Sequence, residues 1–211
     1  VLSGAEIYDR IYNSHAPLML TANGTILTTE FEGVIPGLLK RWSAERKELQ
    51  AKKKKAQEAG NAVETAFWDK RQLVKKINLN SLYGAILNPG CRFFDKRLGQ
   101  STTLTGRQIV KHMSAEVNKV VTGEYNHTGE AVIYGDTDSV YFSAYPVLKN
   151  DIEAGRVPWT KDNVIQLYDQ VCEQANTSFQ DFMLRAFHCP KTRSDVIAAG
   201  REIVGESGLF I

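Results

Sequence analysis

The residues with the clearest chemical potential are Asp136 and Asp138, separated only by Thr137 in the string Tyr134-Gly135-Asp136-Thr137-Asp138-Ser139. Two carboxylates this close repel each other unless a cation lies between them. Mg²⁺ is held by a few carboxylates together with substrate phosphates rather than by a complete protein cage. The pair therefore suits phosphoryl transfer assisted by divalent metal. Ala131, Val132, Ile133 and Tyr134 on one side, and Val140, Tyr141 and Phe142 on the other, favour strands, with Gly135 as punctuation, so the pair is predicted at the turn of a β-hairpin. Taken alone, the string has a second reading as an Asp-rich surface turn, because Asp is a common turn former.

Positive charge is concentrated elsewhere. The 211-residue chain has a formal net charge of +2, yet residues 40 to 76 hold twelve Lys or Arg against five Asp or Glu, leaving +7 there and −5 in the remainder. Such a block suits polyphosphate or nucleic acid. The run Lys52-Lys53-Lys54-Lys55 by itself reads as a solvated helical face, since consecutive residues spread around a helix. Helix formers run from Pro36 to about Ala59, Pro36 suits a first turn, and Gly60-Asn61 supplies a stop; a second helix is predicted from Ala62 to about Leu82. A tight turn between the two makes an antiparallel hairpin that places Arg46 and Lys76 side by side, facing one ligand.

Beyond Gly90 the pattern changes. Leu104, Ile109, Val110, Met113, Val117 and Val120 predict an amphipathic helix over 101–121, closed by Gly123. After the carboxylate hairpin a loop is expected over 145–158, then a helix over 162–187 with Val164, Tyr168, Val171, Ala175, Phe179, Phe182 and Ala186 on one side, and short strands over 195–199 and 202–204. This order is a β-α-β-β-α-β unit without its leading strand.

Length and composition are those of a globular protein with one large domain or two small ones. Cys91, Cys172 and Cys189 show no metal-ligand spacing, so reduced thiols and an intracellular setting are expected. No apolar run approaches about twenty residues and no signal-peptide pattern opens the chain, so neither membrane insertion nor secretion is expected. The sequons at Asn23, Asn126 and Asn176 are then chance.

The string Lys76-Ile77-Asn78-Leu79-Asn80-Ser81-Leu82-Tyr83-Gly84 resembles the K-x-x-x-N-S-x-Y-G signature of family B DNA polymerases, and the hairpin string resembles that family's Y-G-D-T-D-S. Asn80 to Ala85 followed by Arg92-Phe93-Phe94-Asp95 looks like the bacteriophage branch, as does the Ile35-Pro36 helix start leading to Arg46. The resemblance extends from about Asn23 to Ile211. It implies an α+β fold: residues 31–86 as the fingers helical hairpin, 87–211 as an incomplete palm of β-α-β-β-α-β (ferredoxin-like) topology lacking its first strand, and 1–30 as the connection from palm to fingers. The implied reaction is template-directed DNA synthesis, in which the primer 3′-hydroxyl attacks the α-phosphate of a dNTP and pyrophosphate leaves, with two Mg²⁺ ions as cofactors.

By the same resemblance Asp138 bridges the two metals and Asp136 lies nearer the primer terminus. Glu202 matches an acidic palm position near the metals, and reads equally well as an ordinary strand-edge glutamate. Arg46 and Lys76 are implied to grip the incoming triphosphate, Asn80 to help hold the nucleotide, and Tyr83 to pack against the nascent base pair. Gln50 stands where phage relatives have a second lysine, so a hydrogen bond could persist there but the charge cannot. Tyr134, Gly135, Thr137 and Ser139 are implied to contact DNA. The implied partners are primer-template DNA, dNTP and the remaining polymerase segments, in the same chain or in a separate subunit.

The family's other metal aspartate sits in a D-x-x-S-L-Y-P-S string, which is not found here; Asp9-Arg10-Ile11-Tyr12-Asn13-Ser14 does not match it. The chain opens on Val1 and closes on Gly208-Leu209-Phe210-Ile211, without exonuclease or thumb segments. The expectation is an interior fragment, or a split subunit, of a replicative polymerase, inactive by itself and, if viral, working in the cytoplasm of an infected host. Two other classes compete. A non-catalytic nucleic-acid-binding module derived from a polymerase is disfavoured by the paired carboxylates, which it would not need. A cyclase or nuclease on a similar hairpin is disfavoured by the N-S-L-Y-G helix.

Overall fold

The computed structural model describes residues 3–206 and 208; the last residues of the resemblance, Leu209 to Ile211, lie outside them. In chain order the elements are α1 (Gly4–Tyr8), a π-helical turn (Asp9–Asn13), β1 (Leu18–Leu20), β2 (Ile26–Thr28), α2 (Val34–Glu58), α3 (Ala62–Leu87), α4 (Lys96–Thr122), β3 (Val132–Asp136), β4 (Ser139–Phe142), α5 (Tyr145–Glu153), α6 (Lys161–Phe187) and α7 (Lys191–Ser194). The strands make two separate two-stranded sheets, β1 with β2 and β3 with β4, so the class is α+β. No described helix is long and apolar enough to cross a membrane. The chain divides into two compact units, one formed by Thr28–Gln100 and the other by the described residues on either side of it.

The Thr28–Gln100 unit is built on α2 and α3. Gly60 makes the reversal at φ +69°, where only glycine is unstrained, and the Asn61 side chain caps α3 by accepting from the Glu64 N–H at 3.0 Å. Ala56 and Ile86 are the buried apolar residues of these helices, while Val63, Phe67, Leu73, Val74 and Ile77 are exposed. Polar and aromatic pairs cross the seam: Lys53 to Asp69 at 2.6 Å, Lys75 to Glu45, Arg46 to Gln72 at 3.3 Å, and the Lys52 ammonium over the Trp68 ring. The lysine run thus divides around the helix, Lys52 and Lys53 facing α3 and Lys54 pairing along α2 with Glu58. Helix α3 continues through Gly84 to Leu87, beyond the expected end near Leu82. Helix α4 begins at Lys96, earlier than expected, because the Asp95 carboxylate accepts from the N–H groups of Arg97 and Leu98 and caps it.

In the other unit α6 supplies the main apolar stripe. Val164, Val171, Ala175, Phe179, Met183 and Phe187 are buried, four of them on the expected face; Tyr168, Phe182 and Ala186 are only partly covered. Helix α4 is buried nearly all round from His112 to Asn118, so its polar residues need partners. Ser178 donates to the Ala175 carbonyl at 2.7 Å and therefore accepts from His112 Nε2 at 2.9 Å. Because burial disfavours the charged ring, His112 Nδ1 accepts from the Tyr125 hydroxyl at 2.7 Å, and the ring stacks on Phe182.

Burial pushes the His112 ring below the usual histidine value, against the opposing pull of Glu116. Unfolded, this histidine takes up its proton near pH ~6.5; folded, it resists to lower pH. The unfolded chain thus binds more protons in that window, and stability should fall as pH drops from about 6.5 toward the folded value. An NMR titration of His112 with a midpoint at or above about 6.5 would contradict this.

Two expectations are corrected. The segment after the hairpin is not all loop: α5 forms over Tyr145–Glu153, with Pro146 in its first turn and a Lys149–Glu153 pair one turn apart. The strands expected over 195–199 and 202–204 do not form. Strand structure requires a hydrogen-bonded neighbour, and here the Asn176 side chain takes both polar groups of Ala199, accepting from its N–H at 2.6 Å and donating to its carbonyl at 2.9 Å.

Candidate functional site

Strands β3 and β4 pair antiparallel with Tyr134 opposite Tyr141, Gly135 opposite Val140 and Asp136 opposite Ser139, and a bulge lies between Val132 and Tyr134. Asp136 closes the ladder, leaving Thr137 and Asp138 as a two-residue loop. Thr137 adopts φ +39°, an uncommon conformation for a β-branched residue. Its hydroxyl donates to Asp136 Oδ1 at 2.9 Å, and the Ser139 hydroxyl donates to the Asp136 carbonyl at 3.2 Å. The Asp138 carboxylate is exposed and bonds to nothing among the described residues. Tyr134 and Tyr141 stack obliquely across the strands at 5.9 Å. The loop thus presents two carboxylates to solvent: one already engaged by a neighbouring hydroxyl, the other open to a ligand.

The base of this hairpin is clamped. Asn118 on α4 is fully buried; its amide donates to the Asn126 carbonyl at 2.6 Å and accepts from the Ala131 N–H at 2.9 Å. Ala131 is itself fully buried, and its carbonyl accepts from the Ser143 N–H at 2.8 Å, tying the two arms together below the carboxylates. A Cβ on Gly129 would come within 2.6 Å of the Asn118 side chain, so any side chain there would displace the buried amide. Sequence reasoning missed Asn118. Its one available signal was a polar residue inside the apolar repeat of the 101–121 helix.

The cationic residues lie in the other unit. Gln72, Lys76, Asn80 and Tyr83 on α3 are spaced so that, at about 100° per residue, they share one stripe roughly 80° wide. Arg46 on α2 donates from Nε to Gln72 Oε1 at 3.3 Å, which brings its guanidinium to the head of that stripe, one turn from Lys76. The expected juxtaposition of Arg46 and Lys76 on one face therefore has a specific intermediary, Gln72, which sequence reasoning did not single out. Lys76 and Asn80 are exposed and without protein partners among the described residues, and Gln50 is likewise exposed one turn beyond Arg46.

Glu202 is exposed in the irregular segment after α7. Among the described residues no three His, Cys, Asp or Glu side chains gather into a metal-binding group. The donor set at the hairpin is nonetheless all oxygen and anionic, which fits a hard cation such as Mg²⁺ that keeps several waters and completes its shell with phosphate.

The family model for DNA polymerase family B matches residues 10–154, a stretch that carries both the α3 stripe and the carboxylate hairpin. Similar proteins are viral and cellular alike. A DNA polymerase of Trichoplusia ni ascovirus 2c is 33% identical over 127 residues, 60% of this chain and 11% of the relative. The DNA polymerase delta catalytic subunit of Oryza sativa subsp. japonica is 39% identical over 111 residues, 52% of this chain and 10% of the relative. The DNA-directed DNA polymerase of Escherichia phage RB69 is 37% identical over 78 residues, 36% of this chain and 9% of the relative. The chain spans about a tenth of the length of these curated relatives.

Proposed function

The chain belongs to DNA polymerase family B, and from that premise we propose that it carries the nucleotide-gripping helices and one metal-binding hairpin of a template-directed DNA polymerase. The observation that carries this reading is the exposed pair Asp136 and Asp138 at the tip of a clamped hairpin, with the Asp138 carboxylate free of protein partners among the described residues. In this proposal the β3–β4 hairpin is part of a palm of ferredoxin-like topology and α2–α3 are the fingers. The working enzyme is intracellular, replicative and dependent on polymerase segments that include a further metal aspartate, so that these residues alone extend no primer.

The reaction is transfer of a nucleotidyl group from dNTP to the primer 3′-hydroxyl, with release of pyrophosphate. Asp138 and Asp136 would hold Mg²⁺, with Glu202 as a further acidic residue near the metals; bound there, two Mg²⁺ would supply Lewis-acid activation of the hydroxyl and neutralise charge on the leaving group. Arg46 and Lys76 bind the triphosphate. The planar Arg46 fork matches phosphate oxygens in pairs, while Lys76 acts as a mobile point charge. Asn80 holds the nucleotide, Gln50 contributes at most a neutral hydrogen bond, and Tyr83 packs against the nascent base pair. Tyr134, Gly135, Thr137 and Ser139 flank the carboxylates at the DNA. Positioning and electrostatics carry this chemistry, so the cations matter as much as the acids.

The test is steady-state primer extension with Mg²⁺ by the full-length protein carrying Lys76→Ala. Because Lys76 makes no bond that holds the hairpin, thermal stability should be unchanged, while the KM for dNTP rises about tenfold through loss of one charge-assisted contact to phosphate. An unchanged KM and rate would remove Lys76 from the nucleotide site.

A further inference from the structure

A chain of polar contacts runs along the seam of α2 and α3 and ends at Arg46. The Lys53 ammonium bonds to Asp69 Oδ1 at 2.6 Å, the Gln72 amide donates from Nε2 to the same oxygen at 3.1 Å, and Gln72 Oε1 accepts from Arg46 Nε at 3.3 Å. Each link has a direction set by chemistry. Ionised Asp69 can only accept, so it turns the donor side of the Gln72 amide toward itself. The carbonyl oxygen is then the side of the Gln72 amide left facing the guanidinium. Reversed, the amide would present N–H to N–H, and this bond from Arg46 would be lost.

We propose that Asp69 is a positioning residue for nucleotide binding, acting through Gln72 to fix the Arg46 guanidinium with its Nε edge on α3 and its two terminal amino groups turned outward. Those two groups bond to nothing among the described residues. Together they can bind two phosphate oxygens end-on in a bidentate manner. An arginine held by Nε has already lost part of the rotamer freedom that it would otherwise lose on binding, so its contacts to a triphosphate are stronger than those of an unrestrained side chain. Asp69 stays ionised across the working pH range, because the Lys53 ammonium, and after it the Gln72 amide, hold its carboxyl below the usual carboxylate value. Stability alone gives the relay little purpose, since ion pairs this exposed contribute little to folding.

The inference rests on the reading that Arg46 binds the triphosphate, and the test separates the two. In primer extension by the full-length protein, Asp69→Ala should raise the KM for dNTP about fivefold with kcat nearly unchanged, the effect of loosening a charged hydrogen-bonding group. In an Arg46→Ala background the same substitution should change KM by less than about twofold, because its route to the nucleotide is gone. Equal shifts in both backgrounds, or no shift from Asp69→Ala where Arg46→Ala does raise KM, would overturn the relay while leaving Arg46 in the site. No shift from Arg46→Ala would overturn the reading of Arg46 and the relay with it. If Asp69→Ala does not fold, Asp69→Asn keeps the side-chain shape but can face Gln72 either way round. It should raise KM in the same direction by about twofold, and an unchanged KM there overturns the proposal.

Discussion

Asp138→Ala should lower the extension rate of the full-length protein by at least about a thousandfold while leaving its affinity for primer-template within about twofold. The asymmetry follows from the hairpin. Asp138 sits in the loop, exposed and unpartnered among the described residues, so its removal breaks no internal bond and should not unfold the tip. On the proposed reading, what disappears is an anionic ligand for the cations that would stabilise charge in the transition state, an interaction that matters far more to the reaction than to DNA binding. Asp136→Ala should have the smaller effect of the two, because one Asp136 oxygen is already occupied by the Thr137 hydroxyl. Rate measurements under single-turnover conditions, paired with equilibrium DNA binding, check this. Parallel loss of rate and DNA affinity would mean that Asp138 shapes the DNA surface rather than holding metal, and full activity would exclude it from the chemistry.

The second large effect is expected away from the carboxylates. Asn118→Ala should destabilise the hairpin-bearing unit by about 2–4 kcal/mol, because it strands the Ala131 N–H and the Asn126 carbonyl beside a new cavity in a fully buried place. In a chain of this size that is a fall of roughly 5–15 °C in Tm. Gly129→Ala should act in the same direction, since its Cβ would press on the Asn118 amide at 2.6 Å. Catalysis should decline with stability, because the Ala131–Ser143 bond closes the base of the hairpin that carries Asp136 and Asp138. Thermal unfolding of the two variants decides it: a Tm within about a degree of the parent would show that the base of the hairpin is held by other contacts.

Much of the candidate site was legible in the chain because the relevant information is local. The Asp-x-Asp pair lies at a turn between strand-forming runs, and α3 carries Lys76, Asn80 and Tyr83 at helical spacing, so each group can be placed on its own element without knowing any distant contact. The Gly60-Asn61 reversal was likewise readable, since left-handed glycine and an asparagine cap act within a few residues. Helix α5 is masked in the sequence by Pro146 and Gly155, which read as breaks, although a proline in the first turn is compatible with a helix. The N-terminal β1–β2 pair was missed because each strand is three residues long, too short for an alternating pattern to register.

By itself, then, the sequence determined the family, the α+β class, the helical hairpin and the identity of the exposed acids and cations, all of which depend on residue type and short-range spacing. Tertiary structure alone decided which polar groups meet: Asn118 with Ala131, Asn176 with both polar groups of Ala199, His112 with Tyr125 and Ser178, and Asp69 through Gln72 with Arg46. These pairings bridge separate elements, and a buried or half-buried polar side chain takes whichever partner the packing of apolar faces brings within about 3 Å. That choice cannot be read from either partner's neighbours, and so the local pattern around Glu202 predicts a strand where the structure is irregular.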